Sequence, residues 1–275
     1  MQYPFFGLAV ALAVALAFAP ATLRAEPAAG EDLAERVGEL RDATLPCVDR
    51  PTTVTRACVV PQSTILLENG YYQNASKIGS TALAAYPLTR LRVGVAPRIE
   101  IVLDAPAQYA ESGAGGVGLY PRSQLGFGAK WLFARSPLLQ FTLGAEASPP
   151  IDRNIPTSTH SRYDADVAGA LTLDRLTSLD ASLGVVSFAE NQHNESAGLR
   201  SGIAVRRTVA RGTTVIGEIT FRSSAANGNA QTSGAIYVQQ ALSRSALVDI
   251  GLGTAFNAAG NAKAHYLGFG VSIRP

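Results

Sequence analysis

From Gln62 to the C-terminus the chain repeats one unit, a segment of about ten residues in which apolar side chains alternate with polar or small ones. The links between segments run short, long, short, long. Alternation with period two is what a β-strand shows when its two faces meet different surroundings. A strand crossing a membrane turns its apolar face to lipid and can turn its polar face to a lumen. A chain that weaves up and down places all its odd links on one side and all its even links on the other. The pattern predicts an all-β fold, a transmembrane antiparallel up-and-down barrel.

Several segments show it cleanly. Leu125, Phe127, Ala129, Trp131 and Phe133 oppose Gln124, Gly126, Gly128 and Lys130. Val215, Gly217, Ile219 and Phe221 oppose Thr214, Glu218, Thr220 and Arg222. His265, Leu267, Phe269, Val271 and Ile273 oppose Tyr266, Gly268, Gly270, Ser272 and Arg274. Short links fall at Ala96–Pro97, Ala134–Pro137, Asp174–Thr177, Thr208–Arg211 and Ser243–Arg244. Longer ones, rich in Gly, Asn, Ser and Pro, fall at Asn74–Ser80, Pro106–Pro121, Ser148–Ser161, Glu190–Ser196, Ser223–Ala230 and Asn257–Ala262. With Ser63–Gln73 and Thr81–Val95 as the first two strands, about twelve result, an even number, with both barrel ends in the periplasm. The competing architecture is a secreted β-sandwich, whose apolar faces would meet in a core.

Ahead of the barrel, the apolar run Phe5–Pro20 followed by small residues to Ala25 reads as a signal peptide over 1–25, although no Lys or Arg precedes it. A retained anchor is the alternative. Residues 26–61 then form a periplasmic extension and residues 62–275 the barrel. Within the extension, Leu33, Val37 and Leu40 recur at helical spacing among the charges of Glu31–Arg41, so a short amphipathic helix is expected. It would serve as a periplasmic extension, a partner contact or a plug. Cys47 and Cys58 are the two cysteines; in an exported chain this spacing suggests one disulfide, expected at the periplasmic mouth, with free thiols as the alternative.

Composition narrows the function classes. Cleavage after Ala25 would remove Arg24 alone, leaving 22 basic against 21 acidic residues (23 less one, and 21), a balance that argues against nucleic acid as a partner. No cofactor is expected. Of three histidines, His160 and His193 fall in long links and His265 on the apolar face of the last strand. No Gly-x-Ser-x-Gly elbow accompanies them, so a hydrolytic site is the least favoured reading. Asp164 and Asp166 share a strand face, but Ca²⁺ wants about six or more oxygens, and pairing with basic residues across strands is preferred. No catalytic or metal site is assigned. The stretch Gly113–Gly118 lacks the Lys-Ser/Thr of a phosphate loop and reads as a flexible outer link.

The alternation instead places a set of charges inward: Glu68, Arg90, Arg92, Glu100, Asp104, Lys130, Glu146, Asp164, Asp166, Arg200, Arg206, Glu218, Arg222 and Asp249. A lipid-facing Arg or Lys near mid-bilayer would cost about 2–4 kcal/mol, so inward placement is forced. Such charges either fill a structural interior or line a narrow polar path. Arg98, Arg135, Arg175, Arg211 and Arg244 sit in or beside the short links, where a cationic ring would face anionic headgroups.

Particular stretches also resemble a known family. They are Ile65-Leu66-Leu67-Glu68-Asn69-Gly70-Tyr71-Tyr72, Tyr86-Pro87-Leu88-Thr89-Arg90-Leu91-Arg92-Val93-Gly94-Val95 and Arg98-Ile99-Glu100-Ile101. Gly126-Phe127-Gly128-Ala129-Lys130, Asp249-Ile250-Gly251-Leu252-Gly253 and Gly268-Phe269-Gly270-Val271 extend the likeness. Together they resemble the transporter-like outer-membrane barrel family labelled "MetA-pathway of phenol degradation". The resemblance covers roughly Gln62 to Arg274. It implies a bacterial outer-membrane location and passage of a small, aromatic or hydrophobic molecule, and it supplies no catalytic residues. One departure is the C-terminus, Ser272-Ile273-Arg274-Pro275, where such barrels usually end in an aromatic residue. The expected protein is a monomeric barrel surrounded by outer-membrane lipids. Its function is a channel for small solutes or, alternatively, a filled barrel whose outer loops bind a partner.

Overall fold

A computed structural model describes residues 47–50, 52–76, 82–86, 88–105, 108–113, 116–121, 125–149, 162–191, 194–223, 230–257 and 263–275. The expected signal peptide, the helix at 31–41 and His160 and His193 lie outside these. Fifteen strands are seen. The first seven are β1 (Ile65–Ser76), β2 (Ala82–Tyr86), β3 (Arg90–Ala96), β4 (Ile99–Asp104), β5 (Gln108–Gly113), β6 (Gly116–Pro121) and β7 (Gly126–Arg135). There follow β8 (Leu139–Ser148), β9 (Arg162–Thr172), β10 (Thr177–Asn191) and β11 (Asn194–Ala210). The last four are β12 (Thr213–Ser223), β13 (Ala230–Ala241), β14 (Ala246–Asn257) and β15 (Lys263–Ile273).

Strands from β7 to β15 pair antiparallel in sequence order, the sheet continues from β7 through β4, β3, β1, β2 and β5 to β6, and β15 returns to β1 with Leu67 opposite Ile273 and Gly70 opposite Gly270. The sheet therefore closes on itself. Three crossings are interrupted rather than continuous. β2 and β3 are two parts of one, and β4 and β5 two parts of the next. β6 and β7 make the third. Counted as crossings, the fifteen strands form a closed barrel of twelve, as the alternation predicts.

The residues read as the long link Pro106–Pro121 differ from expectation. Of these, Gln108–Gly113 and Gly116–Pro121 are the paired strands β5 and β6, with Gly113 opposite Gly116. β10 and β11 likewise run past their expected ends, pairing Asn191 with Asn194. Gly and Asn occur in paired strands as well as in links, so composition alone did not set where these strands end.

At the opposite end the turns are short, as expected. In the β9–β10 turn, Asp174 Oδ1 accepts hydrogen bonds from the amides of Leu176 and Thr177 at 2.7 and 2.8 Å. Slight burial raises the Asp174 pKa, but these bonds outweigh it and the net shift is downward. Register shifts at Gly94/Ala96, Leu132/Ala134 and Thr208/Ala210 lie near this same end, where bulges tighten the curl into the turn.

The two faces are inverted relative to a water-soluble protein. Phe127, Trp131, Leu183, Ile203, Ile250, Leu252 and Phe269 are exposed on the outside, while Glu68, Arg92 and Glu100 have no solvent exposure at all. In a sandwich Trp131 and Phe133 would be in the core; Trp131 is 50% exposed. A continuous apolar exterior of this extent is the surface of a barrel that spans a membrane.

Candidate functional site

Residues 47–50 and 52–61 do not sit at the barrel mouth, where the cysteine loop was expected. They lie inside the lumen, in the half nearer the short turns. The Cys47–Cys58 disulfide closes the segment over a sequence separation of 11, with Cα atoms 5.6 Å apart. Val48 and Val60 pack with Leu66 and Leu247 of the wall, and Val54 with Ala204, Ile216, Ala235 and Tyr237.

This plug has almost no secondary structure of its own, so its buried amides and carbonyls need other partners. Inward side chains of the wall supply them. Glu68 accepts from the Asp49 amide (2.8 Å) and Glu100 from the Val60 amide (2.5 Å). Glu218 accepts from the amides of Thr53 and Val54 (2.9 and 3.1 Å), from the Thr53 hydroxyl (2.5 Å) and from the Tyr237 hydroxyl (2.8 Å). In the other direction Arg92 donates to the Cys47 carbonyl, Gln239 to the Arg50 carbonyl and Arg206 to the Thr52 hydroxyl. The fully buried Arg92 also pairs with Glu100 at 2.7 Å, Asp49 at 3.3 Å and Glu68 at 3.6 Å. Lys130 reaches Asp49 at 2.9 Å. Buried charges are tolerable only when paired and hydrogen-bonded in this way.

Glycines of the wall make room for the plug. A Cβ on Gly94 would collide with the Pro61 carbonyl, and one on Gly70 or Gly270 with the Arg50 guanidinium. Gly70 and Gly270 face each other across β1 and β15, forming the niche through which Arg50 reaches the Phe269 carbonyl and Asp249.

Farther from the short turns the lumen opens. A cavity of about 410 Å³ is bordered by Arg50, Arg162, Arg200, Arg222, Tyr72 and Tyr266. A second, of about 300 Å³, is bordered by Arg90, Asp104, Lys130, Glu146, Asp164 and Asp166. Arg90 holds Asp104 at 2.6 Å and Glu146 at 3.0 Å. Arg200 holds Asp164 at 2.8 Å and Asp166 at 3.0 Å, and Thr55 of the plug donates to Asp166. Asp164 and Asp166 thus serve as ion-pair partners across strands. His265 lies outside, within 3.0 Å of the Thr254 hydroxyl.

The fourteen inward charges fall into two tiers. Glu68, Arg92, Glu100, Lys130, Arg206, Glu218 and Asp249 touch or surround the plug. Arg90, Asp104, Glu146, Asp164, Asp166, Arg200 and Arg222 border the cavities above it. Sequence reasoning missed their plug partners Asp49, Arg50 and Arg56, and Asp180, which pairs with Arg206 at 2.5 Å. It also passed over Tyr72, Tyr237 and Tyr266. The same alternation marks all three as inward; only charges had been weighed.

The barrel is similar in fold to two solved outer-membrane proteins. One is an outer-membrane channel from Pseudomonas putida F1, at a TM-score of 0.62 and 12% identity, covering 80% of this chain and 98% of that one. The other is the NanC porin, at a TM-score of 0.52 and 9% identity, covering 74% of this chain and 98% of that one. No protein-family model matches the chain, and no curated protein matches it in sequence. At these identities the likeness is one of fold.

Proposed function

We propose that the protein is a channel for small solutes in the bacterial outer membrane, reached through a cleaved signal peptide over residues 1–25 and closed on its inner side by its own disulfide loop. One observation carries this reading: a cavity of about 410 Å³ stands directly over a plug held to the wall by hydrogen bonds and ion pairs. A lumen meant only as structure gains nothing from an open, charge-lined upper half. The fold shared with an outer-membrane channel and a porin supports it. The lumen-lining charges named above would shape the path, and the protein would act as a monomer. The finer reading, passage of compounds from aromatic breakdown, rests on the sequence resemblance.

Planar-bilayer recording of the purified protein tests the proposal. Brief, rare openings are expected for the intact chain, and frequent, larger ones once the plug's anchors Glu218 and Lys130 are replaced by Ala and Met. Silence in both would overturn it and leave a sealed barrel.

A further inference from the structure

The rim at the short-turn end is built differently from the lumen. Inside, arginines are held by carboxylates: Arg90 by Asp104, Arg92 by Glu100, Arg200 by Asp164 and Arg206 by Asp180. At the rim each of the five turns carries one arginine. Arg98 follows β3, Arg135 ends β7, and Arg175, Arg211 and Arg244 follow β9, β11 and β13; all five are exposed. Arg274 follows β15 and donates to the Arg244 carbonyl at 3.0 Å, so the end of the last strand adds a sixth. Among the described residues Asp174 is the only exposed carboxylate, and its Oδ1 is taken up by the amides of Leu176 and Thr177. Within three residues of each arginine stands an exposed apolar side chain: Ile99, Leu138, Leu173, Val209, Leu242 and Ile273. The guanidinium groups thus follow the edge of the apolar exterior from turn to turn around the barrel.

We infer that this rim is a docking surface for anionic phospholipid, with the phosphates of the leaflet at this end on the arginines and its acyl chains on the apolar residues beside them. The inference goes beyond the channel reading and stands whether or not the barrel conducts. A guanidinium fork matches a phosphate through two parallel hydrogen bonds. An arginine stem lies along apolar surface while its head stays among the headgroups, and an anionic leaflet attracts basic residues held at its surface. Lipid is selected over a soluble acidic partner because the molecule that reaches the arginines must also cover Leu173, Val209 and Leu242, which are exposed next to them. Phospholipid carries both parts, an anionic head and an apolar body.

Native mass spectrometry of the full chain, released from detergent with phosphatidylglycerol or with phosphatidylcholine of the same acyl chains, tests this. The chain should retain about fivefold more phosphatidylglycerol than phosphatidylcholine, the scale of one basic residue at an anionic surface. The difference should shrink as salt in the loading buffer rises, because exposed charges are screened. Replacing Arg98, Arg135, Arg175, Arg211 and Arg244 by Gln should bring phosphatidylglycerol down to the phosphatidylcholine level. Lys at the same five positions keeps the charge without the fork and should restore part of the retention. If the quintuple Gln variant loses its heat-shifted band on gels, Arg175→Gln with Arg211→Gln, on neighbouring turns, should still lower it. Glycerol phosphate, a headgroup without acyl chains, should not displace the lipid. Equal retention of the two lipids, or retention unchanged in the Gln variants, would overturn the surface. Displacement by glycerol phosphate would overturn it as well, leaving sites for a soluble phosphate.

Discussion

Glu218 of the barrel wall holds Thr53 of the plug twice, through its amide at 2.9 Å and its hydroxyl at 2.5 Å, across 165 residues of sequence. The neighbouring Val54 amide and the Tyr237 hydroxyl complete the carboxylate's set of donors. Glu218→Ala leaves these donors unsatisfied. The variant should lose roughly 2–4 kcal/mol of plug docking, on the scale of hydrogen bonds to a charged group, and conduct more often in bilayers. Unchanged opening frequency would mean that Glu218 does not hold the plug.

Gly94 offers a test that removes no polar contact. Its Cα lies so close to the plug that a methyl group would overlap the Pro61 carbonyl, a backbone atom that cannot swing aside. Gly94→Ala should therefore assemble as a heat-shiftable barrel while exposing residues 47–61 to limited proteolysis. Protection equal to that of the parent chain would contradict the placement of Pro61.

Arg92 pairs with Glu68, Glu100 and Asp49 where solvent does not reach it. Replacing it with Met strands buried carboxylates, a change that costs about 3–5 kcal/mol when one partner of such a pair is removed. The midpoint of denaturant unfolding should fall accordingly. Adding Glu100→Leu should recover part of the loss, because one stranded charge goes with it.

Ile203 is 55% exposed in mid-strand, on the outward face of β11 between Ala181 and Ile219. In lipid, Ile203→Arg should cost about 2–4 kcal/mol and reduce the folded fraction in refolding into vesicles. The same substitution in a sandwich would act by disrupting a core, and vesicles would make no difference to it.

Orientation can be tested by labelling. The short turns carry Arg135, Arg175, Arg211 and Arg244, all exposed at the end where both termini of the sheet lie. Cysteines at Asn194 and at Asn227, the latter outside the described residues, should react with an impermeant thiol reagent on intact cells. One at Ser243 should not. The reverse pattern would turn the barrel over in the membrane.

The amino-acid sequence by itself determined the wall. Period-two alternation fixes which side chains share a face, and lipid leaves only one choice of face for Arg92, Lys130 or Glu218. Crossing number, short turns and the inward charges follow from that single rule, because each can be read from neighbours along a strand. The barrel's filling was decided only by tertiary structure. Nothing in residues 47–61 alternates, since a segment without a ladder has no period to display. Its amides find Glu68, Glu100 and Glu218 on three different strands, at sequence separations of 19, 40 and 164–165. The inward charges could be counted from the sequence, but their partners could not. Whether Glu218 faces water, an arginine or a plug depends on which residues closure of the barrel brings to its centre. The same holds for Tyr237 and Tyr266 over Gly251 and Gly253: alternation turns them inward, and only the register between β13, β14 and β15 sets ring against glycine.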